Sequence, residues 1–215
     1  MTMSGAKKHI GRVLSGDVLE CKQLMYRVTS ALRGLDMKFA SRGNLGLQKE
    51  RSIGYEDSGG PKLDYVLKNL PIANDDSIID LGCGKGGAMI TMAQHGFLHV
   101  DGIEISPALV SIARENLIRC DVGRARIFCC DAAEFLAYDP YTFIYMFNPF
   151  PERVVRAAVG NLVGSSKRNG KPLTLIYNNP VCEEAVLAAG FHKIREFNHD
   201  FLPVHVYRLS PGAVN

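Results

Sequence analysis

Asp80-Leu81-Gly82-Cys83-Gly84-Lys85-Gly86-Gly87 is the stretch that decides the fold. It follows Ser77–Leu81 (SIIDL), an apolar run of strand length, and it opens a helix predicted over 86–95. Glycines in such a turn let the backbone approach a ligand and leave amide groups pointing at it. Downstream, strands are predicted at 99–105, 126–130, 142–147 and 172–177, with helices at 108–120, 152–162 and 180–189 between them. Ser106 is placed as N-cap and Pro107 as the first helical residue. A helix is also expected at 132–137, capped by Asp131. Alternating strand and helix units imply a mostly parallel sheet covered on both faces. The last two strands, 191–198 and 204–209, are joined by a short connection and read as an antiparallel hairpin.

Two templates fit the glycine-rich turn. Gly82, Gly84 and Gly87 satisfy G-x-G-x-x-G, the dinucleotide fingerprint, with Glu104 twenty residues after Gly84. Asp80, Gly82, Gly84 and Gly86 satisfy D-x-G-x-G-x-G. Context separates them. Glu104 ends the second strand, where a carboxylate can accept two ribose hydroxyls. Asp131 ends the third, within reach of an adenine edge, an acid that pyrophosphate binding does not require. The fourth strand runs into Asn148-Pro149-Phe150-Pro151 at the carboxyl end of the sheet, where open α/β folds bind ligands.

At these residues the chain resembles the class I S-adenosylmethionine-dependent methyltransferases. The likeness covers about residues 54–210 and rests on the DLGCGKGG turn, the GIEIS strand end, the CCDAAEF segment, the NPFP turn and the closing hairpin. It implies an α/β fold: a seven-stranded, mostly parallel, Rossmann-like sheet with helices on both faces and an antiparallel final strand. It implies S-adenosyl-L-methionine as cofactor and S-adenosyl-L-homocysteine as product. Asp80, Gly82, Gly84 and Gly86 would line the methionine end. Glu104 would hold the ribose, Ile105 would lie against the adenine, and Asp131 with the Ala132 backbone would read the adenine edge. Tyr55 is the candidate for the loop tyrosine that closes over the cofactor.

Asn148 resembles the first residue of the [DNS]-P-P-[YFW] turn of amino-group methyltransferases, in which an Asn carbonyl and a backbone carbonyl accept hydrogen bonds from the target nitrogen. Here Phe150 replaces the second Pro, and Pro151 stands where the aromatic belongs. Asn148 and Phe150 are the candidates for substrate placement. The NPFP turn and the Tyr177-Asn178-Asn179-Pro180 segment look most like bacterial methyltransferases of unassigned substrate. Asn178 and Asn179 either face the substrate or form a turn that caps the helix after Pro180.

Composition sets the remaining bounds. The 215 residues, 47% hydrophobic and 22% charged, describe a globular chain rather than a disordered one. No run of 18 apolar residues exists, so no membrane span is expected. The six cysteines form no C-x-x-C pair, which suits reduced thiols in the cytoplasm and neither zinc nor a disulfide framework. His192, His199 and His205 show no metal-ligand spacing, and adjacent Cys129 and Cys130 point to opposite faces of their strand.

Residues 1–51 hold ten Lys/Arg against four Asp/Glu, while the remainder holds 15 against 18. This basic segment is either a nucleic-acid-binding arm or the solvated face of a helix. Val18, Leu24, Met25, Val28, Leu32 and Leu35 fall near one face of a helix predicted over 17–35, and 41–60 reads as a loop. Residues 1–60 are thus expected to be a helical and loop lid over a catalytic domain at 61–215. The acceptor classes left open are a small molecule, a protein side chain, and RNA or DNA. A non-catalytic S-adenosylmethionine-binding module is the alternative from outside enzymology.

Overall fold

The computed structural model describes residues 3–41, 43, 54–148, 150–198 and 202–212, with side chains from residue 18 onward. The elements are α1 (Met3–Leu32), β1 (Ala40–Ser41), β2 (Gly54–Tyr55), α2 (Pro61–Lys68), β3 (Ser77–Leu81), α3 (Gly87–Met92), β4 (His99–Glu104) and α4 (Pro107–Arg119). They continue with β5 (Ile127–Cys129), β6 (Phe143–Phe147), α5 (Glu152–Asn169), β7 (Leu173–Asn178), α6 (Glu183–Ala188), β8 (His192–Phe197) and β9 (Val204–Leu209).

Seven strands form one sheet in the order β5-β4-β3-β6-β7-β9-β8. β3 pairs in parallel with β4 on one side and β6 on the other. β9 runs antiparallel to both β7 and β8. The chain builds outward from β3 through β4 to β5, then returns across β3 to place β6. That reversal opens a crevice at the carboxyl ends of β3, β4, β6 and β7, the usual ligand site of such sheets.

Strand alternation distributes the core. Ile79, Leu81, Ile144 and Met146 face one layer with Val155, Val159 and Leu162 of α5. Ile78, Val100, Phe143 and Tyr145 face the other with Leu67, Met89 and Leu117. All of β3 is buried, as a parallel strand covered on both faces must be. α4 starts as its sequence predicts, with Pro107 in the first turn and Ser106 Oγ accepting from Leu109 N at 3.4 Å.

Several expectations need correction. Residues 132–137 form a turn and not a helix: Asp131 Oδ1 accepts from Ala133 N at 2.9 Å, and that local bond competes with helix formation. α5 continues to Asn169 and closes on Gly170 in the left-handed conformation. α6 starts at Glu183, not at 180. Asn179 is no N-cap, because its φ of 52° lies outside the extended region a cap adopts. Its N–H donates to Pro203 O at 2.9 Å, tying the end of β7 to the approach of β9.

α1 is longer than predicted, and the apolar stripe faces outward: Val18 is 53% exposed, Met25 66% and Leu32 82%. The helix meets the body through polar and aromatic side chains instead. Gln23 Nε2 donates to Gly59 O at 3.1 Å. The Tyr26 ring lies so close to Gly60 that a Cβ there would stand 2.7 Å from Tyr26 Cδ1. Part of the predicted loop pairs as well, since β1 and β2 join antiparallel with Ala40 opposite Tyr55. Among the described residues no helix is long and apolar enough to cross a membrane.

Candidate active site

β3 delivers the glycine-rich turn to the crevice. Gly82, Gly84 and Gly86 all have positive φ, at 78°, 54° and 82°. Gly82 N and Cys83 N both donate to Ile103 O at 2.9 Å, which fixes the turn against the end of β4. Gly84 carries a second constraint, because a Cβ there would come 2.2 Å from Tyr55 Cδ2. The absent side chain is what lets the Tyr55 ring lie directly on the turn. Tyr55 is buried, with Lys85 Nζ 5.3 Å from its ring centroid.

Glu104 stands at the end of β4, also buried. Its Oε2 accepts from Gly84 N at 3.0 Å and its Oε1 from Ser106 N at 2.8 Å. Each carboxylate oxygen keeps a further lone pair for a ligand hydroxyl. Burial raises the Glu104 pKa, and the N–H groups of Ser106, Gly84 and Ile105 draw it partly back. Asp80 is buried as well, and its pKa is pushed well above the carboxylate range, by burial first and by repulsion from Glu104 second. Two buried acids side by side are uncomfortable alone and well placed for a cationic ligand.

One cleft joins these groups. Of the predicted residues, Tyr55, Asp80, Gly82, Gly84, Glu104, Ile105, Asn148 and Phe150 line it. Gly86 stands behind the turn, packed toward Ala113 and Leu117 of α4. Asp131 and Ala132 lie outside the lining, and the Ala132 side chain belongs to the core. Pro149 lies outside the described residues.

Asn148 departs from ordinary backbone geometry, with a φ of 33°. Its Oδ1 is buried and has no hydrogen-bond partner among the described residues. A buried carbonyl oxygen without a donor costs free energy until one arrives. The Asn148 backbone strain and its orphaned acceptor therefore sit together in the cleft that holds the glycine turn.

Sequence reasoning missed Phe39, Asp57, Ser58 and Phe147, all of which line the cleft. Asn179 lines it too, which fits the alternative to a cap that its Asn pair offered. Asn178 turns to the other side of β7 and donates from Nδ2 to Tyr145 Oη at 3.2 Å.

Residues 78–170 match the family model described as a methyltransferase domain. Residues 78–170 therefore carry a methyltransferase domain. Two curated relatives illustrate the match. The 27-O-demethylrifamycin SV methyltransferase of Amycolatopsis mediterranei is 28% identical over 109 residues, 51% of this chain and 40% of that protein. Phosphoethanolamine N-methyltransferase 1 of Triticum aestivum is 32% identical over 117 residues, 54% of this chain and 22% of that protein. The methyltransferase domain thus spans less than half the length of either relative. An RNA methyltransferase of Salinibacter ruber, solved with S-adenosyl-L-homocysteine, superposes with a TM-score of 0.52. At 22% identity over 72% of this chain and 94% of that one, it shares the fold.

S-adenosylmethionine fits the residues present. The methyltransferase domain offers two buried carboxylates to a ligand that carries a sulfonium, an ammonium and ribose hydroxyls. The Gly84 turn under Tyr55 leaves backbone rather than side chains against it.

Proposed function

We propose that this protein transfers a methyl group from S-adenosylmethionine to a nitrogen of a small-molecule acceptor. The observation that carries the reading is the orphaned Oδ1 of Asn148, a residue that lines the glycine-turn cleft. Turned toward the cleft, it would accept from an incoming N–H. Phe150, buried beside it, gives the acceptor an aromatic surface.

In this reading Glu104 holds the ribose and Ile105 lies against the adenine. Asp80 with Gly82 and Gly84 faces the methionine end, Gly86 shapes the turn, and Tyr55 covers the bound cofactor. Asp131 with Ala132 meets the far edge of the adenine. Residues 1–60 act as the lid on the domain at 61–215. The bound cofactor supplies a methyl carbon on a sulfonium, a good leaving group. Asn148 holds the acceptor nitrogen with its lone pair toward that carbon. The bound cofactor would supply the methyl group and leave as the neutral thioether, and the acceptor nitrogen would pass a proton to water. Holding the reactants in attack geometry supplies several kcal/mol of the barrier reduction.

The test is Asn148→Ala. We expect methyl transfer to fall about 100-fold or more, on the scale of a lost transition-state contact, with S-adenosylhomocysteine affinity nearly intact. Loss of cofactor binding instead would make Asn148 a cofactor residue and remove the basis of the nitrogen assignment.

A further inference from the structure

β6 and β7 end side by side, and their last paired residues are Phe147 and Asn178. The next residue on each strand is an asparagine, Asn148 after β6 and Asn179 after β7. Both have a left-handed backbone, with φ of 33° and 52°, and both line the glycine-turn cleft. Among the described residues the one other non-glycine position with positive φ is Asp121, just past α4, and it borders a different cleft.

A left-handed position favours glycine, and an asparagine there is normally supported by a local hydrogen bond from its side chain. Asn179 lacks that support. Its N–H donates to Pro203 O at 2.9 Å, and its carbonyl oxygen accepts from Val181 N at 2.8 Å. No hydrogen bond among the described residues uses its side-chain amide. The backbone is thus engaged by the protein, and the amide is what Asn179 has to offer a ligand.

Spacing says what two such amides suit. Neighbouring strands stand about 4.8 Å apart. Two oxygens that each accept one hydrogen of the same NH2 group, at about 2.9 Å from the nitrogen, are themselves roughly 5 Å apart. An amide at each of two adjacent strand ends therefore matches both hydrogens of a primary amino group and leaves the nitrogen lone pair uncovered.

We propose that Asn179 is a second acceptor-binding residue, and that with Asn148 it selects a primary amino group and limits the reaction to one methylation. This rests on the nitrogen-methylation reading and adds the class of nitrogen. Each transfer replaces one N–H by N–CH3, with the proton passing to water and the sulfonium becoming the neutral thioether. The once-methylated nitrogen keeps a single N–H, so in a second round one amide oxygen would lose its donor. A site built to hydrogen-bond an N–H discriminates strongly against an analogue that lacks it.

The experiment uses the full-length protein, S-adenosylmethionine with a trideuterated methyl group, and the small-molecule fraction of a host-cell extract as the source of acceptor. Mass spectrometry counts the labelled methyls per product molecule, and fragmentation locates them. We expect one labelled methyl per molecule, on nitrogen, even after long incubation. Asn179→Gly removes the amide and relieves the backbone, so it should melt at or above the native temperature and bind S-adenosylhomocysteine unchanged. It should transfer methyl about 10- to 100-fold more slowly at low extract concentration, and the share of twice-labelled product should rise. A purely structural role would not move that share. Asn179→Asp keeps an oxygen acceptor and tolerates the left-handed backbone, so it should restore part of the transfer and the single labelling. Asp121→Gly, the same backbone relief outside the cleft, should transfer as the native protein does.

Twice-labelled product from the native protein would overturn the two-amide clamp while leaving nitrogen methylation standing. So would an unchanged rate and an unchanged share of twice-labelled product in Asn179→Gly. Weakened S-adenosylhomocysteine affinity in Asn179→Gly would overturn the clamp by making Asn179 a cofactor residue. Label on oxygen or carbon, or no label from the native protein, would overturn the nitrogen reading and the clamp with it.

Discussion

Lys85, inside the glycine-rich turn, donates from Nζ to Asp36 Oδ1 at 2.8 Å and to the carbonyl oxygen of Lys38 at 2.9 Å, although it is only 4% exposed. The contact fastens residues 36–38 to the turn, and Phe39, next in line, borders the cofactor cleft. Asn116 braces the same junction: its Nδ2 donates to Asp36 O and to Lys85 O, and its Oδ1 accepts from Asp36 N. The glycine turn therefore organises the roof of the site as well as its floor.

Asp36→Ala should loosen that roof. The Asp36 side chain is 48% exposed, so solvent screens the pair, and Lys85 keeps the Lys38 carbonyl. The expected cost is about 1 kcal/mol, a fall in melting temperature of roughly 2–4 °C for a chain of this size. Cofactor binding should weaken with it. Thermal melts and a cofactor titration check this, and native values in both would mean that the contact does not shape the site.

Gly84→Ala should abolish cofactor binding. Alanine would be strained at a φ of 54°, and its Cβ would strike the Tyr55 ring. Gly170→Ala is the matched comparison, with φ 68° but nothing within 4 Å of the added Cβ. It should cost only about 1 kcal/mol of stability and leave binding alone. Equal cofactor affinity in the two variants would contradict the placement of Tyr55.

Glu104→Ala should weaken cofactor binding by roughly 1.5–3 kcal/mol, the usual range for hydrogen bonds to a charged group. Calorimetric titration reads this directly. Unchanged affinity would remove the ribose role.

The raised pKa values of Asp80 and Glu104 set a pH dependence. Below about pH 3 both acids are protonated in the folded and unfolded chains alike. As pH rises, the unfolded chain ionises first and binds fewer protons than the folded one, so the ligand-free protein loses stability until the folded pKa values are passed. Affinity for the sulfonium cofactor should move the other way, rising over the same window as the carboxylates ionise. Denaturant titrations of ligand-free protein and cofactor titrations between pH 5 and 8 check both slopes. Parallel slopes would contradict this assignment of the two acids.

The sheet was legible because its parallel strands are buried on both faces and stand out as apolar runs between turn signals. Most of the glycine-turn cleft was legible too, because Asp80, the glycines and Glu104 are contiguous with strand ends. Contacts between distant segments were not legible. Nothing local in the sequence pairs Lys85 with Asp36, 49 positions away. The stripe from Val18 to Leu32 marks α1 as amphipathic, but periodicity does not say which face meets the body, and the Gly59–Gly60 step chose the Tyr26 side. For Asn179 the sequence left a cap and a place at the site both open, and its left-handed backbone and its position in the cleft lining decide against the cap.

The most direct test is transfer of a labelled methyl group from S-adenosylmethionine into a host-cell extract split into small-molecule, protein and nucleic-acid fractions, with Asn148→Ala alongside. The account predicts label in the small-molecule fraction, dependent on Asn148 and chemically located on nitrogen. Label confined to protein or nucleic acid, or undiminished by Asn148→Ala, would contradict it.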